Sequence, residues 1–268
     1  MTCRCLPILP AICWLAWAAQ SPPSSAEQAK LVEEIRAGSL AYTRQLPDFI
    51  CVEQTRRYVD ETGQEAWRLV DTLTAQLSYF DQRENHKLIS QNGRTAKDTS
   101  YESAGGALSM GDFGSTLRDI FDSASRTVFT WQKDVALRGR RSHVLSFRIA
   151  RPLYAIEYDG DPTAGPQRAK VSSRGSIFVD PQRHSILRIT QEATGIPPSF
   201  PIQEAKQTLD YDFVRIGDAD FFVPMAATTR VRIQTYSGAV CTKTEKRFQQ
   251  YRKYAADAVI KFDELPPE

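Results

Sequence analysis

The chain carries almost no surplus charge. Its 34 lysines and arginines face 32 aspartates and glutamates, a formal net charge of +2 over 268 residues. A nucleic-acid-binding protein shows a clear basic excess, so that class is excluded. Long apolar runs are also scarce. The mean hydropathy of −0.40 excludes a multi-span membrane protein, whose helices each need about 20 apolar residues. Only 14 glycines and 15 prolines are present, which excludes a collagen-like fibre, and a hydrophobic content of 41% is that of a folded domain rather than a disordered chain. Internal repeats and linker-like composition are missing between residues 26 and 263, so one domain is expected there.

Catalytic and metal motifs are equally sparse. The histidines are His86, His143 and His184. None stands at ligand spacing from another or from a cysteine, so no metal site is expected, and all read as surface or strand-end residues. There is no G-x-S-x-G, and no S-x-x-K in a strand–helix context. Gly111-Asp112-Phe113-Gly114 lacks the glycine spacing and the lysine of a phosphate loop. Asp159-Gly160-Asp161 offers too few oxygens for calcium. No cofactor and no catalytic residue is expected. An enzyme would need titratable groups that the fold brings together in a cleft.

What is present begins at the N-terminus. Met1 and Arg4 precede an uncharged apolar run, Cys5 to Ala19. That run is about 15 residues long, too short and too broken by Pro7 and Pro10 for a spanning helix. Ala16-Trp17-Ala18 is an A-x-A pattern, followed by polar residues. The expectation is a signal peptide over 1–18 with cleavage near Ala18, a disordered linker over 19–25, a domain over 26–263 and a tail over 264–268, in an exported, periplasmic protein. A retained N-terminal anchor is the alternative. Removing the signal leaves two cysteines, Cys51 and Cys241. An even count in an exported chain points to one disulfide, worth about 4–5 kcal/mol in the chain-entropy model. Two unrelated buried thiols are the alternative.

Hydrophobic spacing supplies the elements. Leu31, Ile35, Tyr42 and Leu46 share a helical face, and Pro47 ends that helix. From there the period becomes two. Trp67, Leu69, Asp71, Leu73, Leu77 and Tyr79 share one parity of a long strand that is amphipathic. A charge at Asp71 on the apolar face calls for an inward arginine or a polar spot in a cavity. Phe113, Leu117 and Phe121 lie on one face of a short helix, with Asp112 as its N-cap. The remainder reads as strands joined by hairpins. The fold class is therefore α+β: a strongly curved antiparallel sheet of about ten strands, with one long N-terminal helix and one short inserted helix.

At Gly175-Ser176-Ile177-Phe178-Val179-Asp180, followed by Ile186-Leu187-Arg188-Ile189, the chain resembles the bacterial periplasmic lipoprotein-carrier (LolA-like) superfamily. Tyr211-Asp212-Phe213, Gly217 and Phe222-Val223-Pro224 follow in the same order. Leu46 to Cys51 and Leu137 to Arg141 look like segments of a group of exported bacterial proteins. The chain departs from the family by insertions around residues 92–125 and 159–167. The resemblance implies an incomplete β-barrel whose helices cover an apolar concave face, and an acyl chain or other apolar ligand bound there. The candidate lining is Trp67, Leu69, Asp71, Leu73, Leu77 and Tyr79 from the strand, with Phe113, Leu117 and Phe121 from the helix. The expected function is non-enzymatic binding of a lipid or acylated protein by a monomer. The alternative is an interaction or envelope-sensor module on the same scaffold. Arg138, Arg140 and Arg141 form a basic cluster, read either as a peripheral contact with membrane headgroups or as a solvated strand edge.

Overall fold

The computed structural model describes residues 22–104, 113–159, 165–236 and 238–254, leaving the side chains of residues 43 and 102 aside. The expected signal peptide, the tail, Asp112 and Gly160-Asp161 lie outside the described residues. Helix α1 spans Ser25–Gln45. Ser24 caps it in a capping box: the Ser24 hydroxyl accepts the Glu27 amide, and the Glu27 carboxylate accepts the Ser24 amide at 2.7 Å. This arrangement satisfies two of the free amides at a helix start.

Eleven strands follow: β1 (Phe49–Asp60), β2 (Arg68–Phe80), β3 (Arg83–Gln91), β4 (Arg94–Thr95), β5 (Val128–Leu137), β6 (Arg140–Tyr158), β7 (Gln167–Val179), β8 (Ile186–Thr194), β9 (Ile202–Ile216), β10 (Ala219–Thr235) and β11 (Gly238–Lys253). Helix α2 (Ser115–Phe121) lies between β4 and β5. It is capped by Gly114, two residues beyond the expected Asp112.

The strands form one antiparallel sheet in the order β4-β3-β2-β1-β11-β10-β9-β8-β7-β6-β5. Strands consecutive in sequence are neighbours in the sheet, except that β4 and β5 lie at opposite edges, and the first and last strands, β1 and β11, pair with each other. β4 and β5 are the open edges, so the barrel is incomplete. The chain linking these edges, residues 96–127, overlaps the segment around residues 92–125 that reads as an insertion in the sequence. It supplies α2 and a strap that hydrogen-bonds along β3, with Leu88 N donating to Thr99 O at 2.9 Å. Asn92-Gly93 turns β3 into β4 with positive φ at both residues, 52° and 72°, the backbone an Asn-Gly hairpin favours.

β7 and β8 approach closely at Gly175. A Cβ placed on Gly175 would sit 1.8 Å from the Thr190 carbonyl oxygen, so the two backbones approach more closely than any side chain permits. The glycine of the G-S-I-F-V-D segment is thus a requirement of that close approach. The inner face holds the main core. Phe49, Leu77, Tyr79, Phe147, Ile177, Leu209 and Phe248 from the strands pack against Ile35 of α1 and against Phe113, Leu117, Ile120 and Phe121 around α2.

Candidate functional site

The inner face has two unlike halves. On β1 the inward side chains are Phe49, Cys51, Glu53, Thr55 and Arg57, paired on β2 with Tyr79, Leu77, Ala75, Leu73 and Asp71. The face therefore changes from apolar to charged within a few residues of strand.

In the charged half, Glu53 is fully buried. Its Oε2 lies 3.1 Å from His86 Nδ1 and its Oε1 lies 3.4 Å from Lys246 Nζ. Thr55 donates to Oε1 at 2.9 Å, and the Tyr101 hydroxyl donates to the same oxygen. His86 Nε2 lies 3.7 Å from Glu84. Tyr101, on the strap, stacks on the His86 ring at 4.9 Å between centroids. Burial pushes the Glu53 carboxyl up, but Lys246, His86 and Tyr101 outweigh it and hold it down at about 2. Burial likewise pushes the His86 imidazole down, while Glu53 and Glu84 hold it up at about 9. Alongside, Arg57 Nε donates to Asp71 Oδ1 at 2.7 Å, Gln91 donates to Asp71 at 2.8 Å, and Arg57 Nη2 donates to the Ala104 carbonyl of the strap at 3.0 Å. Titratable groups do converge here, yet not in a cleft: Tyr101 is 1% exposed and seals them from above.

In the apolar half, α1 crosses the sheet, and among its described side chains only Ile35 and Ser39 are buried. Leu31, Val32, Leu40 and Tyr42 are partly buried against the core. Between α1 and the sheet lies a cavity of about 220 Å³, walled by Gly38, Ser39, Tyr42, Leu117, Ile186 and Phe222. Arg183 and His184, in the turn between β7 and β8, stand at its rim. His184 Nδ1 reaches Glu34 of α1 at 3.2 Å. A Cβ on Gly38 would meet nothing within 4 Å. Among the described residues the buried Tyr42 hydroxyl has no hydrogen-bond partner, and burial pushes its ionisation well up.

The expected lining residues separate accordingly. Leu77, Tyr79, Phe113, Leu117 and Phe121 belong to the main core, and Leu117 alone of these also walls the cavity. Leu73 packs under the strap with Ala75, Leu88 and Tyr101. Asp71 meets the inward arginine that its position called for. Trp67 and Leu69 do not line the inner face. The register steps from Arg57↔Asp71 to Tyr58↔Leu69, so Val70 is an extra residue, and a bulge of one residue sends the preceding side chains to the other face. Leu69 is 48% exposed, and Trp67 lies beneath the cations of Arg230 and Lys243.

The disulfide expectation is overturned: both cysteines are free. Cys51 lies beside Leu77, whereas Cys241 pairs with Asp60 at the other end of β1. Nine residues of strand separate these positions, about 30 Å at about 3.3 Å per residue, far beyond the reach of a disulfide. The basic cluster is already paired. Arg138 lies 3.7 Å from Asp210 and donates to the Tyr211 carbonyl at 2.7 Å, Arg140 meets Asp212 at 3.1 Å, and Arg141 donates to Asp134 at 3.0 Å. These pairs match the strand-edge reading better than the headgroup one.

Glu53, His86, Tyr101 and Lys246 were not among the expected site residues. The available signal was parity: Glu53 and Arg57 alternate in step with Phe49 and Cys51, as Asp71 does with Leu73.

No family model matches the chain, and no curated protein does. Among solved structures, the chain is similar to a domain from Vibrio parahaemolyticus described as an outer membrane lipoprotein-sorting protein, at 14% identity and a TM-score of 0.39 over 85% of this chain and 94% of that one. A DUF1329 family protein from Desulfovibrio piger matches at 10% identity and a TM-score of 0.36 over the same shares. A chain of the MucA/MucB complex from Pseudomonas aeruginosa matches at 11% identity and a TM-score of 0.24, over 85% of this chain and all of that one.

Proposed function

We propose that the protein is an exported, non-enzymatic binding protein that takes a single apolar chain, such as an acyl group of a lipid or an acylated protein, beneath α1. The observation that carries this reading is the cavity between α1 and the inner face. Its walls include Leu117, Ile186 and Phe222, and it adjoins the main core. At about 220 Å³ it is smaller than the 300–1,000 Å³ or so of pockets that enclose drug-sized ligands. It therefore suits one chain end rather than a multi-ring molecule. The helix above it is not packed for permanent closure. Most of its inner residues stay partly exposed, and a buried hydroxyl without a partner, as at Tyr42, costs about 1–3 kcal/mol. A longer chain enters by lifting α1 at this seam.

The test is displacement of the neutral apolar fluorophore N-phenylnaphthylamine by decanol. The wild-type protein should take up the fluorophore and release it to decanol. Gly38→Leu, which fills open space at the cavity mouth, should do neither while unfolding at the wild-type temperature or above. Equal binding by the two proteins would overturn the reading.

A further inference from the structure

The rim of the cavity carries a cation that differs from every other arginine near it. Arg138, Arg140, Arg141 and Arg188 each meet a carboxylate. Among the described residues Arg183 meets none, and its guanidinium lies over the Phe213 ring, 4.7 Å from the centroid. A ring face attracts a cation but does not neutralise it, so the charge and its N–H donors remain available. Phe213 packs edge-on against Phe222, a wall of the cavity, at 5.0 Å, which fixes the cation relative to the cavity mouth.

The backbone at this point is also held. Asp180 Oδ1 accepts the amides of Gln182 and Arg183 at 2.8 and 3.0 Å. His184 N donates to the Asp180 carbonyl at 2.9 Å, with φ of 53°. Arg183 lines a second, wetter depression of about 540 Å³ together with Arg140, Arg141, Asp180 and Gln182. One residue thus stands where an apolar slot opens onto a polar one. Glu34, the acid at the same rim, is engaged by His184, and Asp180 is engaged by the turn amides.

We infer that Arg183 holds the anionic head of the bound chain, so that the ligand is a single-chain acyl anion whose tail enters the cavity under α1 and whose head stays in the depression outside. The inference rests on the reading of the cavity as a chain site and adds the chemistry of the head to it. A hydrogen-bonded ionic contact of this kind is worth roughly 1.5–3 kcal/mol, or about tenfold or more in affinity.

The experiment measures displacement of N-phenylnaphthylamine by decanoate, decyl phosphate and decanol at pH 7.5, using the full chain as wild type, Arg183→Ala and Arg183→Glu. Arg183 is exposed, so neither substitution disturbs the core. The wild type should favour the two anions over decanol by about tenfold or more. Arg183→Ala should remove that preference, Arg183→Glu should reverse it, and decanol should be unaffected. Preference for one anion over the other identifies the head as carboxylate or phosphate. Decanol and the anions binding equally to wild type, or losing affinity together in both variants, would overturn the inference and leave the cavity reading standing. Failure of all three ligands to displace the fluorophore would overturn both.

Discussion

The two halves of the inner face are built from the same sheet, yet they are closed in opposite ways. Over β1, β2, β3 and β11 the strap delivers Tyr101 into a set of buried charges of opposite sign that pair with one another. Over the sheet beside α2, α1 lies across apolar side chains and leaves a gap. A buried ion cluster punishes opening, because separating its members strands a charge away from water. An apolar seam opens at the modest cost of exposing a few side chains, and a bound chain covers them again. The charged half is accordingly the anchor, and the α1 half is where the proposed ligand enters.

The largest expected effect lies in the anchor. Glu53→Ala leaves Lys246 and His86 buried without their shared anion and should cost about 3–5 kcal/mol, read as a fall in the urea midpoint. Chain binding by the molecules that remain folded should be unchanged. Loss of binding in step with stability would break the division between the halves. Tyr101→Phe removes one hydroxyl from Glu53 and should cost about 1–3 kcal/mol. Its strap amides, Thr99 to Ala104, should also exchange hydrogen faster than those of α1 do in the same variant.

The pH dependence sharpens the same contrast. His86 is held at about 9 against an ordinary 6.5, so its contribution is complete below pH 6.5 and is lost as pH rises towards 9. Glu53 is held at about 2 against 4.5, so its contribution is complete above pH 4.5 and is lost as pH falls towards 2. The unfolding temperature should therefore be highest between about pH 4.5 and 6.5, with a decline on the alkaline side that His86→Gln abolishes. A decline persisting in His86→Gln would place its origin elsewhere. The smallest effect on stability belongs to Gly38→Leu. Leucine is the better helix former by roughly 0.8–1 kcal/mol, and a Cβ at that position meets nothing within 4 Å. Thermal unfolding should be unchanged or slightly later, while the fluorophore no longer binds.

How much of this was legible in the sequence follows from how local each feature is. The existence and end of helix α1 were readable, because its apolar stripe and terminating Pro47 are local. The hairpins were readable for the same reason, and Asp71 announced its arginine through parity. The bulge at Val70 was not readable, since one inserted residue leaves the alternation of letters intact while reversing the faces, and Trp67 and Leu69 were misassigned with it. His86 was set aside because spacing along the chain detects metal ligands, whereas its partner Glu53 sits two strands away and Lys246 three. The Cys51–Cys241 pairing failed on register alone: β1 and β11 are neighbours, but antiparallel pairing puts the two thiols at opposite ends. The cavity required the placement of α1 over β8 and β10, which no local pattern encodes.

The central claim, that chains enter under α1 and not elsewhere on the inner face, is tested most directly by titrating decanol into isotope-labelled protein and mapping the amide shifts. The shifts should concentrate on Gly38, Ser39, Tyr42, Leu117 and Ile186 and leave Glu53, His86 and Tyr101 unmoved. Shifts centred on the strap and the ionic cluster, or no shifts at saturating decanol, would contradict the account.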